Sequence, residues 1–202
     1  MEVMKEIVLA TRNTNKIREI KAILGDINVK ILSLLDFENI PIIVEDGKNL
    51  RENAIKKAKL AYKYTGKIAI ADDSGLEVES LGGLPGVYSS RFAGPKASYK
   101  ENNRKLLDML GDRPLKERAA RFRCVIAVVD SNGEPKVFEG KVDGYIGFEE
   151  RGNSGFGYDP LFILPEYNKT FAELGQGLKN QLSHRAKALL KLKEYLKMVI
   201  GD

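Results

Sequence analysis

The chain has little of what usually announces a covalent or soft-metal framework. Its 202 residues include one cysteine, Cys124, and one histidine, His184. A lone thiol excludes a disulfide framework and a cysteine-based zinc site, and its place in the apolar run "CVIAVV" suits a buried structural thiol in a reducing compartment. No Ser-His-Asp or Cys-His arrangement can be picked out, so no covalent intermediate is indicated. No stretch approaches the roughly 18 consecutive apolar residues of a membrane span. The N-terminus enters a strand-like run without a signal-peptide layout. A soluble, cytoplasmic protein with no membrane partner is expected. Internal repeats, low-complexity segments and linkers are also missing.

What is present is a composition able to build a core. With 43% hydrophobic residues, the chain suffices for one large domain spanning 1–202, or two lobes sharing a sheet, with no linker. The net charge of +5 is spread over lysine-rich helix faces such as "KKAKLAYKYTGK" and is not gathered into one block. A nucleic-acid module would interleave basic and aromatic residues along a groove. Here the distinctive residues sit in loops that also carry carboxylates, which repel a phosphate backbone, so no nucleic-acid partner is expected.

Strand and helix periods alternate along the chain. "KEIVLAT" (5–11) predicts a strand, and "NTNKIREIKAILG" a helix with Ile17, Ile20 and Leu24 on one face and Gly25 at its stop. A short strand is expected at 29–32 and another in "IPIIV". Asn49 and Glu52 then open a helix in capping-box fashion, with Leu50, Ala54, Ala58, Ala61 and Thr65 as its inner stripe. "KIAIA" predicts a strand ending in a turn at Asp72 and Asp73, with "GLEVESL" as a further strand and a long Gly/Pro-rich loop at 82–95. A helix at about 98–110 precedes two long strand segments joined by "SNGE", an antiparallel hairpin whose first strand lies centrally in the sheet. A glycine-rich loop, "GNSGFGYDP", and a terminal helix from "SHRAKALL" complete a mixed α/β protein with one extended sheet flanked by helices.

Four loop motifs bear chemistry. "TRNTNK" (Thr11, Arg12, Asn13, Thr14, Asn15, Lys16) precedes a helix whose unpaired N–H groups, with these neutral and cationic donors, suit phosphates; equally, it is an Asn- or Thr-capped helix with exposed basic residues. It lacks the spaced glycines of a Walker A loop. Glu45 and Asp46 follow one apolar segment as Asp72 and Asp73 follow another. The pairs are either turn residues or shared ligands of one hard cation, for which magnesium needs only one or two carboxylates besides substrate oxygens. In "FGYDP" (Phe156, Gly157, Tyr158, Asp159, Pro160), Phe156 or Tyr158 offers a stacking face for a base and Asp159 an acceptor, unless the aromatics are simply buried. In "LKNQLSHRAKA", His184 and Arg185 stand in a first helical turn, where the dipole disfavours cations and asks for a compensating acceptor.

Together, "TRNTNK", "DDSGL" with "GGLPGVYSSRF", "FGYDP" and "SHR", in this order, resemble the inosine triphosphate pyrophosphatase family over almost the whole chain. The resemblance implies an elongated mixed sheet, a substrate cleft between two lobes, a magnesium requirement and a homodimer. It also implies hydrolysis of ITP, dITP or XTP to the monophosphate and pyrophosphate. Carried over residue by residue, Thr11–Lys16 grip the triphosphate, Glu45 and Asp73 serve the magnesium, and Asp73 is also the general base. Ser74 contacts substrate, Lys57 lies near the phosphates, and Phe156–Asp159, Lys179, His184 and Arg185 enclose the base. One departure is visible: Arg12 stands where the family's first motif often has glycine, so its backbone must tolerate a Cβ. A pyrophosphatase for modified pyrimidine triphosphates is the nearest alternative. GTP shares O6 with the expected substrates, so some residual GTP hydrolysis is expected as well.

Overall fold

The computed structural model describes residues 4–201. β1 (Lys5–Leu9) leads into α1 (Thr14–Leu24), whose Ile20 and Leu24 are buried with Ile17 packed beside them, as the helical spacing predicts. β2 (Val29–Ser33) and an irregular segment follow, then α2 (Leu50–Thr65). Asn49 caps α2 by accepting the Glu52 N–H, and Gly66 ends it in the left-handed conformation (φ 64°) that a side chain would disfavour. Leu50, Ala54, Ala58 and Ala61 form its buried stripe, joined by two polar residues, Asn53 and Lys57; Thr65 is half-buried.

β3 (Ile68–Val78) and α3 (Tyr99–Leu110) precede β4 (Ala119–Val129) and β5 (Pro135–Ile146). β4 and β5 are sheet neighbours, and a connection as short as 130–134 forces them antiparallel. The turn closes where the Gly133 N–H (φ 73°) donates to the Asp130 carbonyl. β6 (Phe162–Leu164), β7 (Lys169–Thr170), α4 (Phe171–Leu182) and α5 (His184–Ile200) complete the chain. The seven strands lie in the order β2-β1-β3-β4-β5-β6-β7. β1 pairs in parallel with β2 and β3, while β5 with β6 and β6 with β7 are antiparallel, so the sheet is mixed as expected. Cys124 to Val129 are all buried, consistent with the central place of β4.

Three expectations are corrected. The aspartates do not sit at a turn. β3 runs unbroken through them, because the charges of Asp72 and Asp73 meet buried cations and have no need of solvent. "IPIIV" is not a strand: Pro41 has no N–H to offer a ladder, Ile42 is 85% and Val44 61% exposed, and the segment has no regular structure. The short strands β6 and β7 and helix α4 were not anticipated, although Thr170 and Glu173 form a complete capping box at the start of α4.

The chain divides into two compact units. The first holds the residues up to Asp73, Cys124–Gly140 and Arg185 onward. Its core packs Ile7, Leu9, Ile20, Leu24 and Ile70 with Ile126, Leu189, Leu192 and Leu196. The second holds Ser74–Arg123 and Lys141–His184, around Leu76, Leu106, Phe122, Ile146, Phe162 and Phe171.

Candidate active site

In the first unit, the loop between β1 and α1 is built by its own side chains. Thr11 Oγ1 accepts the Asn13 N–H at 3.1 Å, and Asn13 Oδ1 accepts those of Asn15 (3.0 Å) and Lys16 (3.3 Å), so Asn13 is the N-cap. Thr14 opens the helix, and Asn15 accepts from Arg18 at 2.7 Å. The first turn of α1 carries no acidic residue, which leaves the positive end of the helix unopposed. Lys16 reaches across to β3, where its Nζ pairs with the Asp72 carboxylate and lies 3.4 Å from the Asp72 carbonyl. Arg12 turns elsewhere: its Nη2 donates to the Ile40 carbonyl at 2.7 Å.

Lys57 is the centre of the cluster. Buried on α2, it spends its three ammonium protons on Glu45 Oε1 (2.6 Å), the Asp72 carbonyl (2.7 Å) and Asp73 Oδ1 (2.8 Å). Burial opposes its charge, but Asp73 and Glu45 outweigh burial and raise its pKa. For Asp73, burial, with the like charge of Glu45 added, raises the carboxyl pKa against the pull of Lys57 and Lys16. Asn53, 1% exposed, bridges the same region: its Oδ1 accepts the Gly47 N–H at 2.8 Å and its Nδ2 lies 3.4 Å from Asp73 Oδ2. Gly47 must be glycine for this approach, because a Cβ there would lie 2.6 Å from Asn53 Oδ1. Asp46 pairs with Lys56 at the surface.

Asp72 has a different environment. Arg185 Nε donates to its Oδ2 at 2.9 Å, Arg185 Nη2 lies 3.4 Å from Oδ1, and the Cys124 thiol donates to Oδ2 at 3.0 Å. Burial alone would raise its pKa; Arg185 and Lys16 override that and hold it well below the usual carboxylate range. Arg185, expected at a base, is 2% exposed, and its guanidinium is shared between Asp72 and Glu19.

In the second unit, Ser74 follows Asp73 on β3 and is half-buried. The glycine-rich loop is locked by Asp159, whose Oδ2 accepts the Phe156 N–H (2.8 Å) and Lys179 Nζ (2.5 Å); Asp159 and Lys179 are 2% and 1% exposed. Gly155 has φ 79°, and a Cβ there would strike Asp159 Oδ2. Tyr158 is buried with its hydroxyl donating to the Ser89 carbonyl, and burial pushes that hydroxyl's pKa up. Phe156 is the half-buried aromatic of the loop, its ring 4.5 Å from Lys179 Nζ and 5.9 Å from the Tyr99 ring. The Gly157 carbonyl accepts from Asn103. His184 stacks on Phe122 with centroids 4.6 Å apart and planes at 9°.

Among the described residues no group of three or more His, Cys, Asp or Glu side chains is arranged to hold a metal alone. Glu45 and Asp73 nevertheless present hard oxygens to one cationic point, the Lys57 ammonium. That donor set fits magnesium, which needs one or two carboxylates when the remaining ligands are water and phosphate. Asn53 and Glu19 were not anticipated from the sequence, and Cys124, expected as a buried thiol, is buried with its thiol on Asp72. Asn53 had a signal, a polar residue placed beside the apolar stripe of Leu50, Ala54, Ala58 and Ala61.

The family model described as "Ham1 family" matches residues 7–195. The chain is similar to the dITP/XTP pyrophosphatase of Desulforamulus reducens, at 49% identity over 95% of each chain. It is 50% identical to that of Geobacter sulfurreducens, over 96% of this chain and 97% of that protein. Among solved structures it resembles a HAM1 protein from Coxiella burnetii, with a TM-score of 0.88 and 43% identity over 96% of this chain and all of that one. The Ham1 protein of Staphylococcus aureus gives 0.85 and 42%, over 96% and 98%.

Proposed function

Since the chain belongs to the Ham1 family, we propose that it is a pyrophosphatase that hydrolyses dITP, ITP and XTP to the nucleoside monophosphate and pyrophosphate, clearing non-standard purines from the nucleotide pool. The observation that carries this reading is the convergence of Glu45 and Asp73 on Lys57, beside the loop that presents Lys16.

Triphosphate recognition is assigned to the backbone N–H groups of Thr11–Lys16 and to the Lys16 ammonium. Glu45 and Asp73 would hold magnesium, which when bound neutralises charge on the triphosphate. Asp73, partly desolvated, accepts the proton of the attacking water. The water oxygen bonds to the α-phosphorus as the α–β bridging bond breaks, and that bond's electrons leave with pyrophosphate. Lys16 and Lys57 stabilise the charge that develops on the departing oxygens. Asp72 takes no part in proton transfer; held ionised, it aims Lys16.

Base recognition is assigned to Phe156 for stacking, with Lys179, His184 and the loop's N–H groups as donors to a 6-oxo group. Asp159 keeps Lys179 and the loop in place. Committed buried donors leave the 6-amino edge of ATP without an acceptor, a mismatch of roughly 10⁴ in kcat/KM. No described helix is long and apolar enough to cross a membrane, and a cytoplasmic homodimer is the working state proposed. The test is a panel of dITP, XTP, GTP and ATP with magnesium, products followed by phosphorus NMR. The expected result is pyrophosphate from dITP and XTP, weak turnover of GTP and little of ATP. Equal turnover of ATP and dITP, or release of orthophosphate, would contradict it.

A further inference from the structure

The segment from Phe37 to Asn49 carries Glu45 but has no regular structure to fix where that carboxylate lies. Its later end is anchored to α2: Glu45 to Lys57, Asp46 to Lys56, and the Gly47 N–H to Asn53. Its earlier end is anchored to the phosphate-loop candidate. Just ahead of the segment the Leu34 N–H donates to the Thr11 carbonyl at 3.3 Å, and six residues on, inside it, Arg12 Nη2 donates to the Ile40 carbonyl at 2.7 Å. Ile40 is itself 7% exposed, whereas Ile42 and Val44, between the anchors, stand out in solvent. Apolar side chains that far exposed contribute little packing, so beyond the buried Ile40 the segment's position rests on its polar ties.

We infer that Arg12 is a positioning residue: it straps the Glu45 segment to the "TRNTNK" loop, and its side chain is not a phosphate ligand. This rests on the proposed role of Glu45. It also accounts for an arginine where the resembling family often has glycine, since a side chain with a rigid donor fork can cross to a backbone carbonyl 28 residues away. Loss of a charge-assisted bond of this kind shifts a local closing equilibrium roughly ten- to a hundredfold.

The test needs no substrate. Ile42→Cys, at an 85% exposed position, takes a nitroxide label, while the buried Cys124 is spared. Spectra are recorded on metal-free protein with Arg12 intact and with Arg12→Ala or Arg12→Lys. The strap predicts a sharpened, more mobile spectrum in Arg12→Ala and partial return in Arg12→Lys, whose ammonium can still donate one bond. In the same variants the magnesium concentration for half-maximal dITP hydrolysis should rise about tenfold in Arg12→Ala and by less in Arg12→Lys. An unchanged spectrum in Arg12→Ala overturns the inference, and so does a raised nucleotide KM with an unchanged spectrum, which would make Arg12 a phosphate ligand. Should the wild-type protein hydrolyse none of the nucleotides, the proposed function falls while the spectra still decide the strap.

Discussion

Asp72 and Asp73 are adjacent, yet the fold separates their tasks. In a strand, successive side chains point to opposite faces, so Asp72 turns toward Arg185 and Cys124 and Asp73 toward Lys57. The two like charges are thereby kept apart, and each meets its own cation. Because Asp72 is fully enclosed and its pKa is driven down, its ionised form belongs to the folded state. Asp72→Asn would leave Arg185 and Lys16 without their shared counter-charge, a loss of about 3–5 kcal/mol. Urea unfolding at neutral pH checks this; a loss under about 1 kcal/mol would show that Glu19 alone suffices for Arg185.

At the scale of elements, the β4–β5 hairpin and α5 are joined by a polar tie inside the first unit. Asp130, at the end of β4, accepts from Tyr195 of α5 at 2.5 Å and from the Asn132 N–H at 2.9 Å. The Tyr195 bond is the main cause that lowers the Asp130 pKa, and burial, with Asp130 added, raises Tyr195 to about 12. For a carboxylate with a depressed folded pKa, the stabilisation is present above its ordinary value of 3.8 and fades as pH falls through the lowered one. Tyr195→Phe should therefore cost about 1 kcal/mol at pH 7, with the difference shrinking below pH ~4. A cost independent of pH would mean that the phenol acts through packing.

The same scale shows what was legible in the sequence. Caps, helical stripes and the Asn132-Gly133 turn are local signals, and α1, α2, α3 and the hairpin followed from them. The unbroken course of β3 was not legible, because it depends on Arg185, 113 residues from Asp72 in the chain. Nor was the irregular course of 40–47, where β-branched residues suggested a strand but the segment joins none of the seven strands of the sheet. In the candidate site the loop, Glu45 and Asp73 were singled out by motifs, and Lys57 by the family resemblance alone. Asn53 showed only as a polar residue beside an inward stripe, and Glu19 looks like any other helical glutamate until its distant partner Arg185 is known.

On the scale of the whole molecule, segments far apart in sequence supply one cluster: the loop after β1, the irregular segment that carries Glu45, the inner face of α2 and the middle of β3. In the proposed mechanism this cluster lets Glu45 and Asp73 share one divalent ion with the substrate while Asp73 receives the proton of the attacking water. The measurement that tests this most directly is magnesium-dependent pyrophosphate release from dITP by wild type and Asp73→Asn, with unfolding midpoints taken in parallel. Asparagine keeps the size of the side chain but can neither take a proton nor carry charge to the ion. Asp73→Asn should lose at least ~10²-fold in kcat with the fold retained; a rate within about threefold of wild type would rule out the proposed role of Asp73.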